Sequence, residues 1–250
     1  MPTRPRKILL VYPPIPPDTY WSFSYALRLV RKKCAMPPLG LLTVAGLMPD
    51  DIELRLIDMN FQPLRSADIE WADMVFLSAM LIQQKALHRI AARCRLMNTP
   101  IVAGGPYPST EPEEMADVDH VLCGEVETLM PTFLADYARG RARRVYAPPT
   151  PPDLSRTPLP RFDLLDLKAY ASMAVQYSRG CPFHCEFCDI WQRFGNRPRL
   201  KSAPQAIAEL ESLYQLGWRG PVFIVDDNFI GNRQRVKAEL LPALTCWQGR

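Results

Sequence analysis

Histidine is nearly absent from this chain of 250 residues, with only three in all. His88 falls on a helical pattern, His120 opens an apolar run and His184 lies inside a cysteine cluster. None has an evident Ser or Asp partner, so a hydrolytic triad finds no support. An excess of one charge is missing too: 30 basic and 26 acidic residues leave a formal +4. That is too slight and too mixed for a general polyanion binder, and no nucleic-acid partner is expected. No long hydrophobic run exists either. The most apolar stretch, Leu39 to Met48, contains Gly and Thr and reaches about half of the roughly 20 residues a membrane helix needs, so no bilayer span is predicted. The basic start of the chain meets Pro13 and Pro14 without a small-residue cleavage site, and a cytoplasmic location is expected.

What is present is a hydrophobic fraction of 48%, 26 prolines and seven cysteines. The apolar content suffices for a sizeable core. In a reducing compartment seven cysteines are not expected to form a disulfide framework, and three crowded into eight residues suggest metal or cluster chemistry. Five short aliphatic runs, at 7–12, 53–57, 74–78, 101–103 and 120–122, alternate with helical patterns. The clearest helix is 83–97, where Leu87, Ile90, Ala91 and Cys94 share one face. Thr110 and Glu113 suit a capping box, and 129–137 suits a further helix. Strands alternating with helices predict a doubly wound parallel sheet of Rossmann type. The first strand is followed by an unusually long connection of about 25 residues, which carries Trp21, Phe23 and Tyr25 and then Arg28, Arg31, Lys32 and Lys33.

A run of prolines from Pro148 to Pro160 predicts a stiff extended spacer at 148–168, between a first domain at 1–147 and a second at 169–250. In the second, 173–178 reads as a strand leading to the cysteines. Ser202 and Gln205 form a capping box for a helix that Gly217 stops, 222–225 is another strand, and 234–247 a helix kinked or cut short at Pro242.

Cys181, Cys185 and Cys188 form C-x3-C-x2-C. Three thiolates in one loop can hold three irons of a cubane cluster and leave the fourth open to a small molecule. A zinc site completed by His184 is the alternative, although no second Cys or His pair accompanies it. Cys34, Cys94, Cys123 and Cys246 read as small buried hydrophobes.

With Phe187 just before the last cysteine and a strand upstream, this loop resembles the signature of the radical S-adenosylmethionine (SAM) superfamily. The resemblance implies that Cys181, Cys185 and Cys188 bind a 4Fe–4S cluster, that SAM chelates its open iron, and that one electron cleaves SAM to methionine and a 5′-deoxyadenosyl radical. It places Phe187 near the adenine. The family's site for the SAM amine follows the second barrel strand, where this chain has Asp226 and Asp227 in place of the typical Gly-Gly-Glu. Capping of the next helix is the other role for these carboxylates. The implied fold is the start of a (β/α)6 radical SAM barrel, of which two βα units are visible, so the barrel is expected to be truncated or completed by another chain.

The polar and glycine residues of the first domain follow its predicted strands, where open parallel sheets bind ligands. They are Asp58 and Asn60, then Ser78, then Gly104 and Gly105, then Gly124 and Glu125. Their order resembles the fingerprint of cobalamin-binding domains, Asp-x-His-x-x-Gly, Ser-x-Leu and Gly-Gly. Asn60 stands where that family has a cobalt-ligating imidazole, which implies a lower cobalt face without histidine. Across its length the chain is similar to cobalamin-binding radical SAM proteins, in detail to the subgroup that includes hopanoid C-2 methylases.

The resemblance implies methyl transfer to an unactivated carbon, of a small molecule or of a polycyclic lipid such as a hopanoid. It also implies an electron donor such as flavodoxin or ferredoxin. A non-methylating radical SAM reaction and an inactive cofactor-binding fragment are the alternatives. The aromatic and basic segment from Trp21 to Lys33 suits a packed surface loop, a cover over the corrin or a contact with an amphipathic lipid. The basic turn from Arg139 to Arg144 suits peripheral contact with anionic headgroups.

Overall fold

The computed structural model describes residues 4–249; Met1–Thr3, part of the basic start, and Arg250 lie outside the described residues. The first half is a six-stranded parallel sheet. In chain order its elements are β1 (Lys7–Tyr12), α1 (Ser24–Leu29), α2 (Leu39–Gly46), β2 (Glu53–Asp58), α3 (Ser66–Trp71), β3 (Met74–Ser78), α4 (Gln84–Leu96), β4 (Ile101–Gly104), α5 (Pro106–Thr110), β5 (His120–Leu122), α6 (Met130–Ala138) and β6 (Val145–Tyr146). The strand order is β2-β1-β3-β4-β5-β6.

The alternation along each strand explains the double winding. In β1, Ile8 and Leu10 pack with Leu41 and Ala45 of α2 and Phe133 of α6, while Leu9 and Val11 pack with Ile69 of α3 and Leu87, Ile90 and Cys94 of α4. Strands buried on both faces need apolar residues at every position, which is why β1 reads as a continuous apolar run. The strand order reverses between β1 and β3, and such a reversal opens a crevice at the carboxyl ends of the strands.

The proline-rich segment is not a spacer. Its 3-10 turns at Leu154–Arg156, Phe162–Leu164 and Leu167–Ala169 bury Leu154, Phe162 and Ala169, and Arg161 N donates to Leu42 O at 3.1 Å. A Cβ on Gly46 would lie 2.5 Å from Leu159 O, so α2 and this segment pack closely. The second half holds β7 (Met173–Val175), β8 (Ser178–Arg179), α7 (Ile190–Phe194), β9 (Arg199–Leu200), α8 (Ala203–Gln215) and β10 (Val222–Ile224). Strands β7 and β10 are parallel, joined across α8 as one βαβ unit, and β8 pairs antiparallel with β9.

The expected strand 173–178 is therefore split, because Gln176 and Tyr177 carry the chain from one sheet to another. After β10 come α9 (Arg233–Arg235), a π-helical stretch at Val236–Leu240 and α10 (Leu241–Gln248). The wider turn just before Pro242 absorbs the missing N–H and the ring, so the kink expected there takes this form. The box of Ser202 and Gln205 caps α8 as expected. Thr110 caps nothing: it ends α5, and its hydroxyl donates back to Pro106 O. Among the described residues no helix is long and apolar enough to cross a membrane.

Candidate functional site

Two adjoining hollows, of about 280 and 290 Å³, lie at the carboxyl ends of the sheet strands. Both are lined by Leu39, Gly40, Ser78, Gly105 and Val225. Gly104, Gly124 and Glu125 line the hollow of about 280 Å³, and its other wall comes from the second half, through Gln176, Arg179 and Phe194. The double glycine has a steric reason. Gly105 has φ +87°, and a Cβ there would stand 2.5 Å from Ser78 Oγ; on Gly104 it would stand 3.3 Å from Leu122 O. Gly124, at φ +68°, donates its N–H to Ser109 Oγ at 2.8 Å.

Asp58 ends β2 at the sheet edge and Asn60 lies in the turn after it, and neither lines these hollows. Asp58 is buried. Its Oδ1 accepts from Asn60 N at 3.0 Å and Nδ2 at 2.6 Å, and its Oδ2 from Tyr170 OH at 2.9 Å. Cys34 is buried in the apolar core as expected, and its thiol also faces Oδ2, at 3.9 Å. Burial raises the Asp58 pKa against the pull of these donors. Asn60 Oδ1 accepts from Ile15 N at 2.8 Å, tying the long β1 connection to the end of β2. Cys94 is buried as expected, Cys123 is half-buried and Cys246 is exposed.

The three-cysteine loop leaves β8 through Gly180, at φ +93°. A Cβ there would come within 2.9 to 3.1 Å of the carbonyls of Gly195, Phe194 and Arg197, so the loop closes on itself where only glycine fits. Cys181 N donates to Gly195 O at 3.2 Å and Cys188 N to Cys185 O at 3.1 Å. Cys185 is exposed, Cys181 and Cys188 are half-buried, and all three are free thiols. Asn228 Nδ2 donates to Cys181 Sγ at 3.6 Å. An outer contact of this kind orients a cysteine that would hold a metal. Among the described residues no three His, Cys, Asp or Glu side chains converge as a single metal ion requires. His184 instead lies edge to face with Trp191, ring centroids 4.7 Å apart. The donor set suits a cluster, whose thiolates each take a different iron. Phe187 is 93% exposed.

Neither Asp226 nor Asp227 caps the following helix, whose cap is Asn232. Both brace the root of the cysteine loop: Asp226 accepts from Tyr177 N and Ser178 Oγ, each at 2.7 Å, and Asp227 from Gly180 N at 3.1 Å. Burial raises the pKa of both. Asn228 was not singled out by sequence, though it lies in the same acidic run.

A buried group of charges joins the two halves. Arg179 Nη1 donates to Glu125 Oε2 and to Glu127 Oε1, each at 2.7 Å. Arg199 donates to Glu125 Oε1 at 2.6 Å and Oε2 at 3.0 Å. Glu125 therefore spends both oxygens on arginines of the second half. A lone Gly-Glu after a strand gave no signal for its distant partners.

A family model for the B12 binding domain matches residues 29–134. The chain is 43% identical over 244 residues to an uncharacterized methyltransferase of Synechocystis sp., a match covering 97% of this chain and 45% of that protein. It is 36% identical over 250 residues to the hopanoid C-2 methylase of Rhodopseudomonas palustris, covering 98% and 47%. The chain thus spans about half the length of these relatives. The radical SAM methyltransferase TsrM of Kitasatospora setae, solved with cobalamin and a 4Fe–4S cluster, shares its fold: TM-score 0.63 at 16% identity, over 90% of this chain and 48% of that one. Residues 29–134 thus match the B12 binding domain, and over nearly its whole length the chain is similar to proteins named as methyltransferases.

Proposed function

We propose that the chain holds the cofactors of a cobalamin-dependent radical SAM C-methyltransferase acting at an unactivated carbon. The observation that carries this reading is the shared hollow: strand ends of the first half face the root of the cysteine loop across one space. When bound, the cluster supplies the electron that cleaves SAM, and methylcobalamin supplies the methyl group.

The chain's own part is geometric. Cys181, Cys185 and Cys188 hold the cluster, and Asn228 orients Cys181. Phe187 stands free to meet the adenine. Asp227 has an oxygen beyond its contact with Gly180 and is the better candidate for the SAM amine, because both oxygens of Asp226 are taken within the chain. Ser78, Gly104, Gly105 and Gly124 let a corrin approach the backbone. Asp58 and Asn60 hold the edge of that site in shape, and the bonding of Asn60 to Asp58 and Ile15 supports a cobalt without a histidine below it.

The substrate proposed is a polycyclic lipid of hopanoid type, on the strength of the relative that is named for such a reaction. The reductant is a one-electron carrier such as flavodoxin or ferredoxin, and free thiols suit a cytoplasmic location. Peripheral membrane contact fits the β1 connection. There Tyr20, Trp21, Tyr25, Leu29 and Val30 are exposed beside Arg28 and Arg31, and no acidic residue occurs from 19 to 49.

Anaerobic reconstitution, with iron, sulfide and corrin analysis followed by turnover with methyl-labelled SAM, tests the reading. Expected are about four irons per chain, bound corrin, 5′-deoxyadenosine and a product heavier by one methyl group. Deoxyadenosine without methylated product would indicate a non-methylating reaction, and an intact cluster without deoxyadenosine an inactive chain. Equal binding to anionic and neutral liposomes removes the membrane contact.

A further inference from the structure

We propose that Glu125, with Arg179, Arg199 and Glu127, positions the cysteine loop against the hollow at the end of the sheet; the inference rests on the reading that both cofactors bind there. Arg179 and Arg199 are register partners across the β8–β9 pair. Everything between them, residues 180–198, is the cysteine loop with α7, so the two arginines form its base. Like charges directly opposite on paired strands repel. Here one carboxylate from the other half takes both guanidinium groups, and Arg199 closes on it with two N–H groups at 2.6 and 3.0 Å.

Further contacts tie the same side chains. Arg179 reaches Glu127 at 2.7 Å and Gln176 Oε1 at 2.7 Å, Arg199 reaches the carbonyls of Pro152 at 2.8 Å and Phe194 at 2.9 Å, and Thr157 Oγ1 donates to Glu127 at 3.1 Å. Two positive and two negative charges cancel, with the Glu125 side chain 5% exposed and Arg179 11%.

The chemistry of the joint argues for placement over stability. Buried ion pairs seldom hold a fold better than apolar contacts would, because both partners lose their hydration. What a forked guanidinium on a carboxylate adds is direction. Glu125 and Arg179 both line the hollow, so the joint lies between the two proposed cofactor positions. A second, exposed contact supports the outer end of the loop, where Arg193 Nη1 donates to Pro106 O at 3.1 Å. It touches the segment that follows Gly105. The β8–β9 hairpin is therefore braced on the carboxyl ends of both β4 and β5, and Glu125 is its buried anchor.

The test compares the chain with Glu125→Gln and Arg179→Lys, and with Asp117→Asn as a control that breaks a half-buried pair with His88 of α4. In protein loaded with cob(II)alamin and reduced to the paramagnetic cluster, pulsed dipolar EPR reads the cobalt-to-cluster distance. We expect one narrow distribution in the parent chain and in Asp117→Asn, and a broadened one in Glu125→Gln and Arg179→Lys. In protein without cofactors, amide exchange across 180–198 should speed by about tenfold in Glu125→Gln, as expected for loss of a charged partner, while β1 to β4 keep their protection. A melting temperature lowered in Glu125→Gln with distance and local exchange unchanged overturns the inference and leaves a merely structural ion pair. If Glu125→Gln does not fold, Arg179→Lys, which keeps the charge and gives up the planar guanidinium that reaches Glu125, Glu127 and Gln176 together, decides by the same readouts. A parent chain that retains neither corrin nor cluster overturns the functional reading and this inference with it.

Discussion

Asp226 shows how a carboxylate chosen from sequence for its charge comes to serve the backbone. Following a strand beside Asp227, it reads as a partner for an ammonium group; in the fold its two oxygens accept from Tyr177 N and Ser178 Oγ. Burial holds its pKa above the ordinary 3.8. A group raised in the folded state gives stability that is fully present below the unfolded value and is lost as the pH climbs through the folded one. Asp226→Asn should remove that loss. Urea unfolding from about pH 4 to 7 should therefore show a less negative slope of stability against pH for the variant than for the parent chain. An unchanged slope contradicts the shift. Asp58 and Glu125 repeat the lesson: polarity and place at a strand end were legible, while their partners Tyr170, Arg179 and Arg199 lie far along the chain and left no local trace.

Elements with a strong period were legible and those set by tertiary contact were not. Strands β1 to β5 and helix α4 match the expected runs to within a residue or so, because burial on both faces of a sheet or one face of a helix imposes the pattern directly. Strand β6 escaped because two residues, Val145 and Tyr146, are too short to show alternation. The proline-rich segment misled for a physical reason. Proline removes helices and central strands but leaves 3-10 turns available, and those turns place Phe162, 1% exposed, among Leu42, Tyr170 and Met173. Phe162→Ala should cost about 3–5 kcal/mol in denaturant unfolding, the usual effect of emptying an aromatic site in a core. A change below about 1 kcal/mol would restore the spacer.

At the scale of the molecule, the buried side-chain joints between the halves include Glu125 with its arginines and Tyr170 with Asp58. Around the second, Lys33 N and Cys34 N both donate to Ala169 O, at 2.8 and 3.0 Å, and Ala171 N donates to Cys34 O at 2.9 Å. Tyr170→Phe keeps the ring against Phe61 and leaves a buried carboxylate short of a donor. The expected loss is about 1–3 kcal/mol in equilibrium unfolding, and a value near zero would show that Asn60 and Cys34 satisfy Asp58 without it. The parallel sheet itself has a consequence in time. All six of its strands lie between residues 7 and 146, so during synthesis each has its partner before Cys181 leaves the ribosome, and domains generally fold from the N-terminus first. The cysteines therefore emerge beside a finished platform on which Glu125 already stands.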